Sequence, residues 1–256
     1  MIKLSKYVLY NILKSKIIIA YTLFLFIVAT GLFQMEANSS KAILSLLNII
    51  LIVLPLVSLI FTTIHYYNSY EFIELMLSQP LSRKRVLLSE FSGVCFSLVM
   101  AFCIGVGIPV LLFATDVSIG ISLILIGIFL SIIFTSFAFY TSVNARDKAR
   151  GIGTALLLWF YFTLIYDGII LLILFTFSDY PLENFTLVMA ALNPIDLGRI
   201  FIMLKMDSSA MMGYTGALFK DFFGSSSGMA FTFGCMILWA AVPLLLALRK
   251  FRKKDL

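Results

Sequence analysis

Charge is scarce in this chain. Only 12% of its 256 residues are Asp, Glu, Lys or Arg, against roughly 25% in ordinary soluble domains. With 61% of its residues from the apolar set, such a chain has too few polar groups to cover its surface in water. Its mean hydropathy of +1.06 makes the bilayer the natural solvent. Residues that carry chemistry are scarce as well. There is one histidine, His65, and three cysteines, Cys95, Cys103 and Cys235, all inside apolar runs and none in a CxxC pair. That argues against a structural zinc centre, and the cysteines read as small buried side chains. No GxxxxGK[ST] loop occurs, so the chain has no P-loop for ATP. HExxH and GxSxG are missing too, and no zinc-protease or serine-hydrolase chemistry follows. Asn38-Ser39-Ser40 matches a glycosylation acceptor by spacing alone and carries no weight.

The apolar residues gather into long runs. A membrane-crossing helix needs about 20 of them, because the hydrocarbon core is about 30 Å thick and a helix rises 1.5 Å per residue. Six segments qualify: 17–35, 42–66, 89–113, 117–142, 153–177 and 227–248. The expected fold is therefore all-α and polytopic, one transmembrane domain over 1–256 with six spans. The first run lacks a small-x-small cleavage site behind it and reads as a retained helix. No internal repeat, low-complexity linker or second domain is visible.

The net charge of +6 does not point to nucleic acid, because the basic residues lie between and beyond the spans. They set orientation instead. With the N-terminus in the cytoplasm, fifteen Lys and Arg fall inside: Lys3, Lys6, Lys14, Lys16, Arg83, Lys84, Arg85, Arg146, Lys148, Arg150, Arg249, Lys250, Arg252, Lys253 and Lys254. Four fall outside, namely Lys41, Arg199, Lys205 and Lys220. Both termini are expected in the cytoplasm and the chain in the inner membrane.

Residues 1–16 are not a span. Leu4, Val8 and Ile12 repeat at helical spacing while Lys3, Lys6 and Lys14 interrupt the apolar run, the pattern of an amphipathic helix in the cytoplasmic interface. The alternative is that they are the first turns of a longer first helix. The cytoplasmic loop 67–88 should hold a short helix over Glu71–Leu77, with Phe72, Leu75 and Met76 on one face and Glu71 and Glu74 exposed. Pro80 would stop it and Ser82 would cap the next helix. A projecting helix of this kind is what a separate motor subunit could grip; the plainer reading is an ordinary interfacial loop. The outer segment 178–226 is long, and its apolar stretches are too short to span. Short helices capping the outer end of the bundle fit them.

Four features in the outer half bear on function. Asp167 lies mid-span, where a carboxylate costs at least a few kcal/mol and faces a bundle interior or a water path. It reads as a relay, or as a hydrogen-bonding partner of Tyr166 or of a Ser or Thr on another helix. Asn193 can cap a helix that begins at Pro194, and Asp196 and Arg199 can pair at i, i+3. The same four residues are candidates for docking an extracytoplasmic partner, as is the 207–223 stretch. Met189, Met203, Met206, Met211 and Met212 are soft donors suited to Cu(I), though Met equally fills apolar gaps. No metal site is assigned. The basic tail 249–254 suits anionic lipid, or contact with an ATPase.

The loop Glu71-Phe72-Ile73-Glu74-Leu75-Met76-Leu77-Ser78-Gln79-Pro80-Leu81-Ser82-Arg83 resembles the stretch after the second helix in permeases of type-2 ABC exporters. There a Glu…Leu-Leu-Ser-x-Pro-Val-Ser-Arg pattern forms the coupling helix that docks on the ATPase. Asn193-Pro194-Ile195-Asp196-Leu197-Gly198-Arg199, Met212-Gly213-Tyr214-Thr215-Gly216-Ala217 and Tyr166-Asp167 are similar to NosY-type permeases of that family. The resemblance covers nearly the whole chain. It implies a non-catalytic membrane subunit whose coupling residues are Glu71, Phe72, Glu74, Leu75 and Met76. It further implies a NosF-like ATPase partner that binds ATP and Mg, a periplasmic NosD-like partner and a second copy of the chain. The role it implies is copper supply for nitrous-oxide reductase, and the chain itself would hold no cofactor. A related exporter for drugs, lipids or gliding motility has the same architecture. A passive channel and an intramembrane enzyme are rivals of different classes; the enzyme would need a catalytic cluster that lone Asp167 and His65 do not supply.

Overall fold

The six apolar runs become six helices long enough to cross a bilayer, and the described residues contain no strand. The computed structural model describes residues 2–36, 38–79, 81–177, 188–206 and 226–253. A short helix α1 (Ile2–Leu13) is followed by α2 (Lys16–Met35), α3 (Ser39–Asn68), the short α4 (Tyr70–Leu77), α5 (Arg83–Phe113), α6 (Val117–Asn144), α7 (Lys148–Thr176), α8 (Pro194–Lys205) and α9 (Ser226–Lys253). The spans are α2, α3, α5, α6, α7 and α9. Several run past their apolar stretch by one or two turns at the basic end, because beyond the hydrocarbon a helix tolerates Lys and Arg.

Caps fix where the helices begin. The Asn38, Asp116 and Asp147 side chains accept from the backbone N–H groups of Ser40 (3.0 Å), Ser118 (2.9 Å) and Arg150 (2.8 Å), satisfying first-turn donors that have no partner within their helix. Two spans contain a π-turn, Cys103–Gly107 in α5 and Tyr161–Ile165 in α7. The first lies just before Pro109, which has no N–H for the ordinary ladder. In α3, Trp159 donates from α7 to the Ile52 carbonyl at 3.1 Å, in the turn before Pro55 interrupts the helix's own hydrogen bonding.

Burial divides the spans into two groups. Over their apolar windows α3, α5 and α6 are 50%, 56% and 56% buried, whereas α2, α7 and α9 are 22%, 17% and 22% buried. The core is thus a central trio with three spans around it. Small residues let helices approach closely. Gly127 of α6 receives the ring of Phe102. At Gly105 a Cβ would lie 2.8 Å from the Leu25 Cβ and 2.9 Å from the Thr22 carbonyl oxygen of α2. Backbone cannot rotate away as a side-chain tip can. Gly105→Val should therefore push α2 off α5 and cost about 1–3 kcal/mol, read as a lower unfolding midpoint in detergent.

Helix α1 is a separate element, not the first turns of α2. Its Val8 and Ile12 are buried, Val8 packs over Gly93 of α5, and the Ser92 hydroxyl donates to that of Ser5 at 2.9 Å. The basic end is tied across spans by Tyr67 Oη donating to the Ser142 carbonyl (3.2 Å) and Lys148 Nζ to Asn68 Oδ1 (2.9 Å). At the opposite end Lys205 Nζ of α8 donates to Ser122 Oγ of α6 at 2.8 Å.

Candidate functional site

Two places combine polar side chains with a defined geometry, one at each end of the bundle. At the basic end the chain bends at Ser69, which closes α3 and opens α4. Helix α4 is held on one side only. Ile73 is 1% exposed, Met76 and Leu77 pack on the core, and the Phe72 ring stacks on Tyr7 of α1 at 5.8 Å. Glu71, Glu74, Leu75 and Ser78 face out. That spacing, i, i+3, i+4 and i+7, is one continuous stripe. Beside it lies a recess of about 520 Å³ lined by Glu74, Leu77, Ser78, Leu81 and Arg83. The expected face of Phe72, Leu75 and Met76 is corrected in two respects. Ile73 is the anchor, and Leu75 stands outside with the two glutamates, because the inward seam runs through 72, 73, 76 and 77. Ser82 occupies the cap position of α5, but its side chain makes no cap hydrogen bond. Pro80 lies outside the described residues.

Just above Ser69, His65 Nε2 of α3 stands 3.2 Å from Glu90 Oε2 of α5 and 3.4 Å from Ser69 Oγ. Glu90 is 2% exposed, and among the described residues its other carboxylate oxygen, Oε1, has no hydrogen-bond partner. The sequence reading gave no role to Glu90. Its signal was available: a lone carboxylate one turn inside an apolar span needs a partner.

At the opposite end Asn193 organises the chain. It is fully buried, its Oδ1 accepts from the Ile195 N–H at 3.0 Å, and its Nδ2 donates to Asp196 Oδ2 (2.9 Å) and to the Phe162 carbonyl (3.0 Å). The last contact anchors α8 on the π-turn of α7. Trp239 Nε1 of α9 donates to the Ala191 carbonyl at 3.0 Å and fixes the same segment from the other side. Arg199 Nη1 then lies 3.0 Å from Asp167 Oδ2 and 3.2 Å from Asp196 Oδ1. One cation serves two carboxylates. Asp167 and Arg199 are each about a third exposed, and Asp196 is nearly buried, at 30%, 33% and 9% of their side chains. Burial, and then the negative charge of Asp167, push the Asp196 carboxyl up to about 7, against the lowering influence of Arg199 and Asn193.

The structure thus joins Asp167 to three of the four outer candidates, which the sequence had placed apart from it. The partner of Asp167 is Arg199; Tyr166 instead donates to the Met189 carbonyl at 2.7 Å. Asn193, Pro194 and Asp196 are buried within the chain, so among the four only Arg199 offers surface. Met206 packs on the core, and Met189 Sδ lies 3.5 Å from Tyr166 Oη. Met211, Met212, the 212–217 pattern and the 207–223 stretch lie outside the described residues. Among the described residues no group of three His, Cys, Asp or Glu is placed to hold a metal.

Six apolar helices, a half-held amphipathic helix at the basic end and a polar clamp at the other define a polytopic membrane protein. The sequence pattern of the family described as ABC-2 family transporter protein matches residues 34–256, and the chain belongs to that family. It is 31% identical over 191 residues to a protein of Pseudomonas aeruginosa, covering 71% of this chain and 68% of that one. It is 27% identical over 263 residues to one of Stutzerimonas stutzeri, covering 94% of each. Both relatives are described as "Probable ABC transporter permease protein NosY".

Proposed function

We propose that this chain is the membrane half of an ATP-driven transporter of the NosY type, working as two copies with a separate NosF-like ATPase. The observation that carries the reading is the outward stripe Glu71, Glu74 and Leu75 on a helix whose other face is locked to α1 and α5. A push on that stripe would pass into α3 through Ser69 and into α5 through the packing of α4 against it, so the two spans would move as levers. The reading requires the basic end to face the cytoplasm, as the bias of Lys and Arg favours. A second copy follows from the same reading, because a motor built of two ATPase subunits needs two membrane partners; the apolar side chains outside on α2, α7 and α9, such as Leu23, Leu157 and Leu238, suit lipid and a second copy alike.

The task we propose is copper delivery to nitrous-oxide reductase with a periplasmic NosD-like protein, as the similarity to NosY supports. That partner would meet Arg199 and the 178–226 segment. The clamp of Asp167, Arg199 and Asp196 would hold α8 against α7 in one state and release it in the other.

The test pairs the chain with a NosF-like ATPase. Glu71→Lys with Glu74→Lys reverses both charges on the stripe while leaving Ile73 in place. The variant should retain about ten-fold less ATPase on co-purification or worse, because like charges across an interface cost several kcal/mol. In a host deleted for its own permease it should leave nitrous-oxide reductase short of copper, as measured by the enzyme's visible spectrum. Undiminished ATPase binding and a fully loaded reductase would remove the coupling role. Normal ATPase binding by the parent chain, with no effect of its deletion on the reductase, would remove only the copper task.

A further inference from the structure

The basic end also holds a cavity that the coupling helix does not use. It has a volume of about 370 Å³ and lies in the elbow between α1 and α2, against the last turns of α3. Asn11, Lys14 and Ser15 line it from the elbow, and His65, Asn68 and Ser69 from α3. Each can donate a hydrogen bond through an ammonium, amide, hydroxyl or ring N–H. No Asp or Glu is among the lining residues. The Glu90 carboxylate stands behind His65 at 3.2 Å, so the positive charge of the cavity comes from lysines. Lys14 contributes one directly, its Nζ lying 4.1 Å over the Tyr10 ring. Lys148 brings a second to the rim through its 2.9 Å bond to Asn68 Oδ1.

The polarity of this cavity is graded. Along α3 the lining residues run from Phe61 and Ile64 through His65 to Asn68 and Ser69, and Ile12 and Ile17 add apolar wall from the elbow. Residues at these spacings share one helix face. The apolar part lies deeper in the span and the donors lie at its end, where hydrocarbon gives way to headgroups. A small soluble anion would satisfy the donors and leave the apolar part empty. A phospholipid satisfies both. The volume falls in the range of about 300–1,000 Å³ that small-molecule sites occupy.

We infer that this elbow cavity is a binding site for an anionic membrane phospholipid, its phosphate held by Lys14 and the amides of Asn11 and Asn68, its first acyl carbons against Phe61 and Ile17. The inference is independent of the transporter reading. It places a lipid at the root of α4, where Ser69 itself lines the cavity.

The test is native mass spectrometry of the full chain released from detergent, titrated with phosphatidylglycerol or with phosphatidylcholine. One phosphatidylglycerol should bind at least ten-fold more tightly than phosphatidylcholine. Lys14→Glu should lower that affinity about ten-fold or more, since each lysine near an anionic headgroup contributes substantially, while Lys253→Glu in the tail should change it less than two-fold. Asn11→Asp changes little in size and puts a carboxylate on the same wall; it decides the matter if Lys14→Glu unfolds in lipid-free detergent. Equal affinity for the two lipids, or affinity unmoved by Asn11→Asp, would overturn the site. Displacement of the bound lipid by millimolar inorganic phosphate would overturn it too, by assigning the cavity to a soluble anion.

Discussion

Arg199→Ala will release the outer segment from the bundle. Removing the guanidinium leaves Asp167 and Asp196 facing each other with no cation between them. Stripping one partner from a fully buried ion pair costs about 3–5 kcal/mol. Arg199 and Asp167 each keep about a third of their surface in contact with the surroundings, so screening reduces the expected loss to about 2–3 kcal/mol. The measurement is the unfolding midpoint in detergent. Well above pH 7, where both carboxyls would otherwise be ionised, adding Asp167→Asn to Arg199→Ala should restore most of the loss; nearer neutral pH the two carboxyls share a proton and the rescue should be smaller. Arg199→Lys should be intermediate, since the ammonium keeps the charge but sits on a shorter side chain and must reach both carboxylates that Nη1 now meets at 3.0 and 3.2 Å. No change in Arg199→Ala would show that the clamp carries no energy.

The same cluster gives stability a pH dependence whose sign can be worked out. Asp196 is raised in the folded chain from its ordinary 3.8 to about 7. Between those values the folded state binds more protons than the unfolded one, so stability falls as pH rises through that window and levels off above it. Asp196→Asn should flatten this part of the profile between about pH 4 and pH 7. A slope of opposite sign, or one that survives the substitution, would count against the shared charge. If the clamp opens in each transport cycle, Asp167→Asn should slow that cycle while leaving ATPase binding untouched; full function in that variant would retire a charge-dependent role.

The second large effect lies at the other end. His65→Ala leaves Glu90, 2% exposed and with Oε1 already without a partner among the described residues, as a lone carboxylate inside the bundle. The expected loss is about 3–5 kcal/mol, seen as a collapsed unfolding midpoint and poor yield from the membrane. Glu90→Gln should be much milder, because an amide still meets the ring and carries no charge. His65→Leu together with Glu90→Leu separates stability from function. Replacing a buried pair by apolar side chains of similar volume is often neutral, so this double variant should be about as stable as the parent. Its α3 and α5 would no longer be tied beside Ser69, and ATP-driven function should fall even though the protein folds. Normal function in a stable double variant would make the pair a structural filler only.

The elements differ in how far the sequence determined them. The spans were legible because the hydrocarbon thickness imposes a length and a composition that few other constraints can mimic. Helix α4 was legible in outline, since Glu71 and Glu74 alternate with apolar residues at helical spacing. Its rotation was not: Ile73 and Leu75 are equally apolar, and only packing in the core tells which is the anchor. The cap at Asn193 and the pair at Asp196 and Arg199 could be read because they lie within seven residues of each other. Asp167, 32 residues before Arg199, could not be joined to them by any local rule. Glu90 and His65, 25 residues apart, were missed for the same reason.

By itself, the sequence determined that this protein lives in a membrane, how many times it crosses, and which stretch projects from it, because those follow from hydrophobic length and from spacing along one helix. Which span is central, which residue anchors α4 and which cation meets Asp167 were decided only by the tertiary structure. Those choices depend on distances between segments far apart in the chain, and side-chain spacing along a single helix carries no record of them.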